Sequence, residues 1–153
     1  MRRFFGVVFA VALFACGGPV DEAVASATTA QVVEPRHLST SNANHDVVQS
    51  AVDAWVLACG DVVTLDSSSG AVEVSRVSRA TMTERGADTS DVGLTSEGHI
   101  AIVDYLTEDR LLHAMAHEIG HALGHGHVTG RVSVMNAYED QQHLIMPTAA
   151  DCY

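Results

Sequence analysis

Three histidines and one glutamate at fixed spacing constrain this chain more than any other feature of its sequence. His117 and His121 are four positions apart, so on a helix their imidazoles lie on one side and can bind the same metal ion. Gly124 follows and can adopt the conformation that ends a helix, which lets the chain turn back and bring His127 to the same point. Glu118 lies directly beside the first histidine. The spacing predicts a metal site at the end of one helix.

The helix that carries these residues is predicted to run from about 108 to 123. Thr107 is the expected N-cap, and the two acidic residues after it place negative charge in the first turn. Apolar residues recur at helical spacing on one face: Leu111, Leu112, Met115, Ala116, Ile119, Ala122 and Leu123. His113 is expected to lie outside the ligand set because it is a full turn before His117. His125 is expected to face solvent, with replacement of the third histidine ligand as the alternative.

The complete string has the form HExxHxxGxxH, and Met135 follows its last histidine by eight residues within a Ser-Val-Met sequence. Both features resemble the metzincin clan of zinc endopeptidases, and the position of the methionine resembles the Met-turn of matrixin-like members. The resemblance covers about 45–153. It implies one catalytic zinc ion, with His117, His121 and His127 as ligands, Glu118 as general base and Met135 packed beneath the metal. Val128 departs from the residue usual in matrixins or astacins, so the family within the clan stays open.

The residue types fit this chemistry without the family. Three neutral imidazoles leave a zinc ion one coordination position for water, and zinc in such a site lowers the pKa of that water toward roughly 7. Glu118 can accept a proton from the water and return it to the leaving amine. The predicted function is therefore a zinc endopeptidase acting on protein or peptide substrates. The alternatives are a structural zinc site and a membrane-tethered, histidine-rich zinc-binding protein without turnover, and neither gives Glu118 a role.

The expected fold is α+β, a small metzincin-like domain with a twisted mixed sheet packed on two main helices. Helical spacing of apolar residues predicts the first helix over 45–58, and valine-rich segments predict strands over 61–65 and 71–77. The segment 81–96 is polar and is expected to be irregular. By resemblance, 98–103 is the edge strand, where an extended peptide would bind by strand addition.

The N-terminal residues have the pattern of an export signal. Two arginines precede an apolar run that is too short to span a bilayer, and Cys16 follows in a sequence that resembles a bacterial lipobox. We therefore expect a signal peptide over 1–15, acylation of Cys16, and a flexible tether over 16–44 that is rich in Ala, Ser and Thr. The resemblance favours the outer membrane over the inner membrane of the bacterial cell envelope. An ordinary signal peptide, followed by secretion, is the alternative.

The number of cysteines and the net charge indicate which covalent bonds and which binding partners the chain can have. Acylation of Cys16 leaves Cys59 and Cys152, which can form a disulfide in an oxidising compartment, with two separate buried thiols as the alternative. The net charge of −11 excludes nucleic-acid binding and becomes more negative when the signal-peptide arginines are removed. The membrane contact is expected through the lipid anchor, and the domain is expected to be a monomer. Asp88 and Asp91 suggest a calcium loop only weakly, and a solvated loop is favoured.

Overall fold

The structure is a computed structural model that describes residues 34–66, 70–137 and 144–152. The predicted signal peptide, Cys16 and the first part of the predicted tether lie outside these residues. The described residues form a mixed five-stranded sheet and three helices, which confirms the predicted α+β class. Within them, no helix is both long and apolar enough to cross a membrane.

The strands of the described residues share one sheet. They are β1 (Arg36–Thr40), β2 (Val63–Leu65), β3 (Val72–Val77), β4 (Gly93–Ser96) and β5 (His99–Val103). Their order is β2-β1-β3-β5-β4, and β4 is antiparallel to β5 whereas the other neighbours are parallel. Val72 and Val74 on β3 are buried and alternate with half-buried residues, as expected for a strand with one face on the core.

Two long helices pack on each other and on the sheet. α1 (His45–Cys59) and α3 (Glu108–Ala122) have 15 residues each, and a short α2 (Arg79–Glu84) lies between them in the sequence. α3 contacts α1, β4 and β5. Trp55 on the buried face of α1 donates its indole N–H to the Ala116 carbonyl of α3 at 2.8 Å. This bond satisfies the polar atom of the buried indole and joins the two helices next to the predicted metal site.

The first strand corrects the predicted tether. The sequence predicts a tether as far as residue 44, but β1 lies between β2 and β3 and pairs with both. Leu38 is the one large apolar residue of β1 and is completely buried. β1 is a strand because it pairs with distant segments on both sides, and a local hydrophobic pattern does not record such pairing. The folded domain therefore includes Arg36 and the residues after it.

The edge of the sheet also differs from the prediction. The segment 98–103 is predicted as the edge strand, but β5 lies between β3 and β4. The edge strand on that side is β4, within the segment 81–96 that is predicted to be irregular. That segment also contains most of α2, whose N-cap Ser78 accepts a hydrogen bond from the Thr81 N–H. Both elements are short and polar, so neither has a clear hydrophobic period.

A disulfide bond joins the C-terminal segment to α1. Its cysteines, Cys59 and Cys152, have a Cα–Cα distance of 5.5 Å and are 93 positions apart in the sequence. The short 3-10 turn Ala149–Asp151 precedes Cys152 and contacts α1. On the chain-entropy model, closing so long a loop stabilises the fold by roughly 4 to 5 kcal/mol. The disulfide therefore holds the last described residues against the helix that packs on α3.

Candidate metal centre

The second half of α3 and the turn after it position the three predicted ligands. His117 and His121 lie on consecutive turns of the helix. Gly124 then has a φ of 95°, a conformation that residues with a Cβ rarely adopt. The His125 N–H donates back to a carbonyl of α3 at 2.9 Å, which closes the turn. The chain reverses direction there and brings His127 against the side of α3 that carries the other two histidines.

The three histidines converge through one ring nitrogen each. Nε2 of His121 lies 3.1 Å from Nε2 of His117 and 3.1 Å from Nε2 of His127, and the last two atoms are 3.3 Å apart. Ligands placed tetrahedrally at the usual Zn–N distance of about 2.0 to 2.1 Å are about 3.3 Å from one another. Among the described residues these histidines form a group close enough to hold one metal ion, and their spacing is compatible with zinc.

Backbone hydrogen bonds fix the tautomer of two of these rings. Nδ1 of His117 lies 2.7 Å from the Val134 carbonyl oxygen, and Nδ1 of His121 lies 2.9 Å from the His125 carbonyl oxygen. A carbonyl oxygen can only accept, so each Nδ1 carries the proton and donates it. In the neutral ring the other nitrogen, Nε2, then has an unshared electron pair. The unshared electron pairs on Nε2 of His117 and Nε2 of His121 are therefore only 3.1 Å apart, and a cation bound to both atoms would stabilise this arrangement.

Burial lowers the pKa values of two histidines in the cluster, His117 and His127. It lowers the pKa of His117 to about 4, although the hydrogen bond to Val134 acts in the opposite direction. Burial, followed by the proximity of His121, also lowers the pKa of His127. Because protons and metal ions compete for the same nitrogen, these lowered pKa values favour metal binding at neutral pH.

Glu118 lies beside the ligands and contacts the edge strand. The residue is only 6% exposed, and its Oε2 lies 2.6 Å from the Thr95 hydroxyl on β4. Burial raises the pKa of the Glu118 carboxyl, although the hydrogen bond from Thr95 acts in the opposite direction. Gly93 leaves space for this side chain, because a Cβ there would lie 2.6 Å from Cγ and 2.7 Å from Cδ of Glu118. The helix that carries His117 and His121 thus holds a buried carboxyl group against the edge strand of the sheet.

Met135 packs against α3 at Gly120, between His117 and His121. The residue is 1% exposed. A Cβ added to Gly120 would collide with the Met135 sulfur and would lie 2.9 Å from Cζ2 of Trp55. Glycine at this position therefore allows methionine and tryptophan to approach the helix backbone closely between His117 and His121.

A buried carboxylate supports the turn that contains Met135. Asp151 accepts hydrogen bonds from Ser133 Oγ at 2.5 Å and from the Thr148 N–H at 2.9 Å, and it lies 3.1 Å from Nη1 of Arg131. Ser133 Oγ in turn accepts from the Met135 N–H at 3.0 Å. Burial acts to raise the pKa of Asp151, but the hydrogen bonds and Arg131 together lower it. The sequence contains no local signal for this support, because Asp151 and Ser133 are 18 positions apart.

The two other histidines near the cluster have contacts of their own. His113 is outside the ligand group, as expected, and its Nδ1 lies 3.1 Å from the Ile145 carbonyl oxygen in the C-terminal segment. Burial lowers the pKa of His113. His125 is half-buried rather than fully solvent-facing, because its ring stacks on Trp55 with the ring centroids 5.3 Å apart. The backbone carbonyl of His125, rather than its ring, supports the cluster by accepting a hydrogen bond from Nδ1 of His121.

An arginine organises the loop that contains Asp88 and Asp91. The Arg79 guanidinium donates to the Asp88 carbonyl at 3.5 Å and also to the Asp91 carbonyl. The Asp88 N–H donates to Oδ2 of Asp91 at 2.8 Å. A calcium ion would require such oxygens as ligands. The loop already has a cationic side chain at its carbonyl oxygens, which argues against calcium there.

Comparisons with known proteins do not assign the chain to a family. No protein-family model matches it, and no curated protein is significantly similar to it. The HExxHxxGxxH string and the geometry of the three histidines are therefore the features from which a function can be inferred.

Proposed function

We propose that the protein is a zinc endopeptidase of the metzincin type, resembling matrixins. The observation that carries the proposal is the convergence of three Nε2 atoms within 3.1 to 3.3 Å of one another, beside the buried carboxyl group of Glu118. Imidazole nitrogens suit zinc, and three of them leave a coordination position for a reactant. The ligands in this proposal are His117, His121 and His127.

The chemistry requires a Lewis acid and a proton carrier. Zinc bound in such a site supplies Lewis acidity, which makes water a nucleophile near neutral pH and polarises the scissile carbonyl. Glu118 takes the proton from the water and delivers it to the leaving amine. The raised pKa of its buried carboxyl group suits a residue that must both accept and release a proton. Backbone hydrogen bonds from His117 and His121 hold the rings in place before a substrate arrives.

The substrate in this proposal is an extended polypeptide segment bound along β4. β4 is the last strand of the sheet, and within the described residues it pairs only with β5. Thr95 on β4 contacts Glu118, so a peptide paired with the outer edge of β4 would pass close to the general base. β4 therefore takes the role that the sequence assigned to the segment 98–103.

A zinc-binding protein without turnover is the alternative that must be separated from this proposal. A structural zinc site is normally closed by a fourth protein ligand. In the part of the chain that the structure describes, the group contains three histidines and no fourth His, Cys, Asp or Glu. Burying the carboxyl group of Glu118 also costs free energy of desolvation, and a site that only binds zinc has no need of a buried carboxyl group there.

The cellular location belongs to the same proposal. The chain is exported, acylated at Cys16 and tethered to the bacterial cell envelope, with the outer membrane favoured. The disulfide between Cys59 and Cys152 supports this location, because disulfides persist in oxidising compartments outside the cytosol.

Casein digestion tests the function. The purified full-length protein is incubated with casein alone, with 1,10-phenanthroline, and with phenanthroline followed by excess zinc. We expect cleavage in the first case, loss of cleavage in the second and recovery in the third. Cleavage that is insensitive to the chelator would contradict a metallopeptidase. A zinc-loaded protein that cleaves neither casein nor a mixed peptide library would favour the zinc-binding alternative.

A further inference from the structure

We propose that β4 contains a cradle, formed by Gly93 and Thr95, that orients the carboxyl group of Glu118. The strand that would bind the substrate thereby also positions the general base. The inference rests on the proposed function, since it assigns positioning residues to that reaction. Neither residue of the β4 cradle belongs to the HExxHxxGxxH string.

The first component of the cradle is the Thr95 hydroxyl. Its Oγ1 lies 2.6 Å from Oε2 of Glu118 and 3.0 Å from the Glu118 carbonyl oxygen. A hydroxyl has one proton, and the carboxyl oxygen at the shorter distance is the better acceptor, especially when it is ionised. The branched side chain of threonine has few χ1 rotamers, so the direction of the hydroxyl is restricted. Thr95 therefore fixes one oxygen of the carboxyl group against the edge strand.

The second component is the absence of a side chain at Gly93. Gly93 and Thr95 are two positions apart on β4, so they face the same side of the sheet. A Cβ on Gly93 would lie 2.6 Å from Cγ and 2.7 Å from Cδ of Glu118, distances that require the glutamate to move. Glycine thus leaves the space that the glutamate side chain occupies, while threonine holds its end.

Pairing with β5 fixes the cradle relative to α3. Gly93 pairs with Ile102 and Thr95 pairs with Ile100, and both isoleucines are completely buried. β4 and β5 both contact α3, which carries Glu118. The strand β4 therefore determines both the orientation of the general base and the line along which a peptide would pair. A peptide that pairs with β4 is aligned with a carboxyl group that is already oriented.

A positioning role predicts an effect on kcat with little effect on KM. In the zinc-loaded protein, Thr95→Val removes the hydroxyl and keeps the branched shape, and we expect kcat to fall on the order of tenfold while KM changes less than about twofold. Thr95→Ser keeps the hydroxyl and should retain kcat within about threefold. Thr83→Val on α2 is the matched control, because it makes the same substitution at an exposed position away from the site, and its kcat should not change.

A second measurement does not depend on activity. Urea unfolding is followed for the wild type, Thr95→Val, Glu118→Ala and the double variant, at one fixed excess of zinc. Neither residue is a ligand, so the contribution of the metal is expected to cancel in the cycle. We expect the double variant to be destabilised by less than the sum of the single effects, because both substitutions remove the same hydrogen bond.

The two measurements separate the cradle from the proposed function. If the wild type has no peptidase activity, the proposed function fails. The unfolding cycle alone then tests the cradle: a double variant destabilised by less than the sum of the single effects supports it, and additive effects contradict it. If the wild type is active, an unchanged kcat in Thr95→Val or additive unfolding effects would each overturn the cradle. Zinc content equal to that of the wild type in Thr95→Val is required for the kcat comparison and is measured on the same samples.

Discussion

The two ring nitrogens of His117 have different partners, and the hydrogen bond of Nδ1 determines the direction in which Nε2 faces. Nδ1 donates to the Val134 carbonyl, which leaves Nε2 to face His121 and His127. Val134 directly precedes Met135, so the turn that contains Met135 sets the tautomer of a candidate ligand 17 positions earlier. Loss of a hydrogen bond of this kind to a metal-binding histidine commonly lowers metal affinity by roughly 10- to 100-fold.

The lowered pKa of His117 predicts that the metal-free protein loses stability in mild acid. Its pKa is about 4 in the folded protein, against an ordinary value of 6.5, so between these pH values the unfolded chain binds a proton at this residue and the folded chain does not. The stabilisation is therefore present above pH 6.5 and is lost as the pH falls toward 4. From this residue we expect a loss of about 2 kcal/mol between pH 7 and pH 5.

Urea unfolding of the chelated protein at several pH values measures this effect. His113 and His127 have pKa values shifted in the same direction and add to the slope. His117→Gln is the matched variant, because it keeps a polar side chain and has no titrating group. An equally steep pH dependence in His117→Gln would show that the effect arises elsewhere.

Met135 is predicted to act by packing rather than by binding the metal. Thioether sulfur is a soft ligand that suits copper(I) better than zinc. Met135→Leu has nearly the same volume and should cost less than about 1.5 kcal/mol of unfolding free energy while zinc is retained. Met135→Ala opens a cavity beneath the ligands and should cost roughly 2 to 5 kcal/mol. Loss of zinc from a Leu variant that remains folded by circular dichroism would argue for direct ligation instead.

Close packing against the backbone of α3 explains a glycine within this helix. Gly120 has low helix propensity, yet it lies in the helix because Met135 and Trp55 occupy the space that a side chain would need. The Trp55 indole also donates to the Ala116 carbonyl, so α1 and α3 are joined at the same level. The position of the ligands therefore depends on close packing among α1, α3 and the turn that contains Met135.

Gly120→Ala tests this packing directly. Alanine improves helix propensity but places a Cβ against Met135, so we expect a net loss of about 1 to 3 kcal/mol of unfolding free energy. In the Met135→Ala background the same substitution should cost less, because the sulfur is then absent and only the close contact with Trp55 remains. Gly126→Ala is the control, since no atom lies within 4 Å of a Cβ at that position. A stabilised Gly120→Ala variant would contradict the packing account.

Elements with a hydrophobic period could be predicted from the sequence, and elements stabilised by their neighbours could not. α1 and α3 have apolar residues at helical spacing, and their observed bounds lie within one residue of the predicted ones. β1 has a single large apolar residue, and β4 is four residues long and polar. Their strand structure arises from pairing with distant segments, which a local pattern does not record.

The same distinction applies to the candidate site. The three histidines lie on one helix and the turn after it, so their spacing in the sequence is sufficient to predict their convergence. The contacts of Thr95 and Asp151 join residues 23 and 18 positions apart, and no spacing rule indicates them. Gly93 and Gly120 are glycines whose role depends on the side chain that packs against them.

For the whole molecule, the predicted lipid anchor explains how an acidic domain would remain at a membrane surface. Replacing Cys16 by serine removes the acylated thiol, so we expect Cys16→Ser to move from the membrane fraction to the soluble fraction. Mass spectrometry of the wild type should find a lipid-sized addition at a mature N-terminus that begins at Cys16. A Cys16→Ser protein that stays in the membrane fraction would contradict the anchor.

A comparison of the wild type with Glu118→Gln at equal zinc content tests whether the protein is a zinc endopeptidase with Glu118 as its general base. Both full-length proteins are loaded with zinc, the stoichiometry is measured by elemental analysis, and new termini in a peptide mixture are counted by mass spectrometry. We expect one zinc per chain in both, and cleavage by Glu118→Gln that is slower by at least about 100-fold, because the proton carrier is missing. Equal cleavage rates at equal zinc, or no cleavage by the zinc-loaded wild type, would contradict the account.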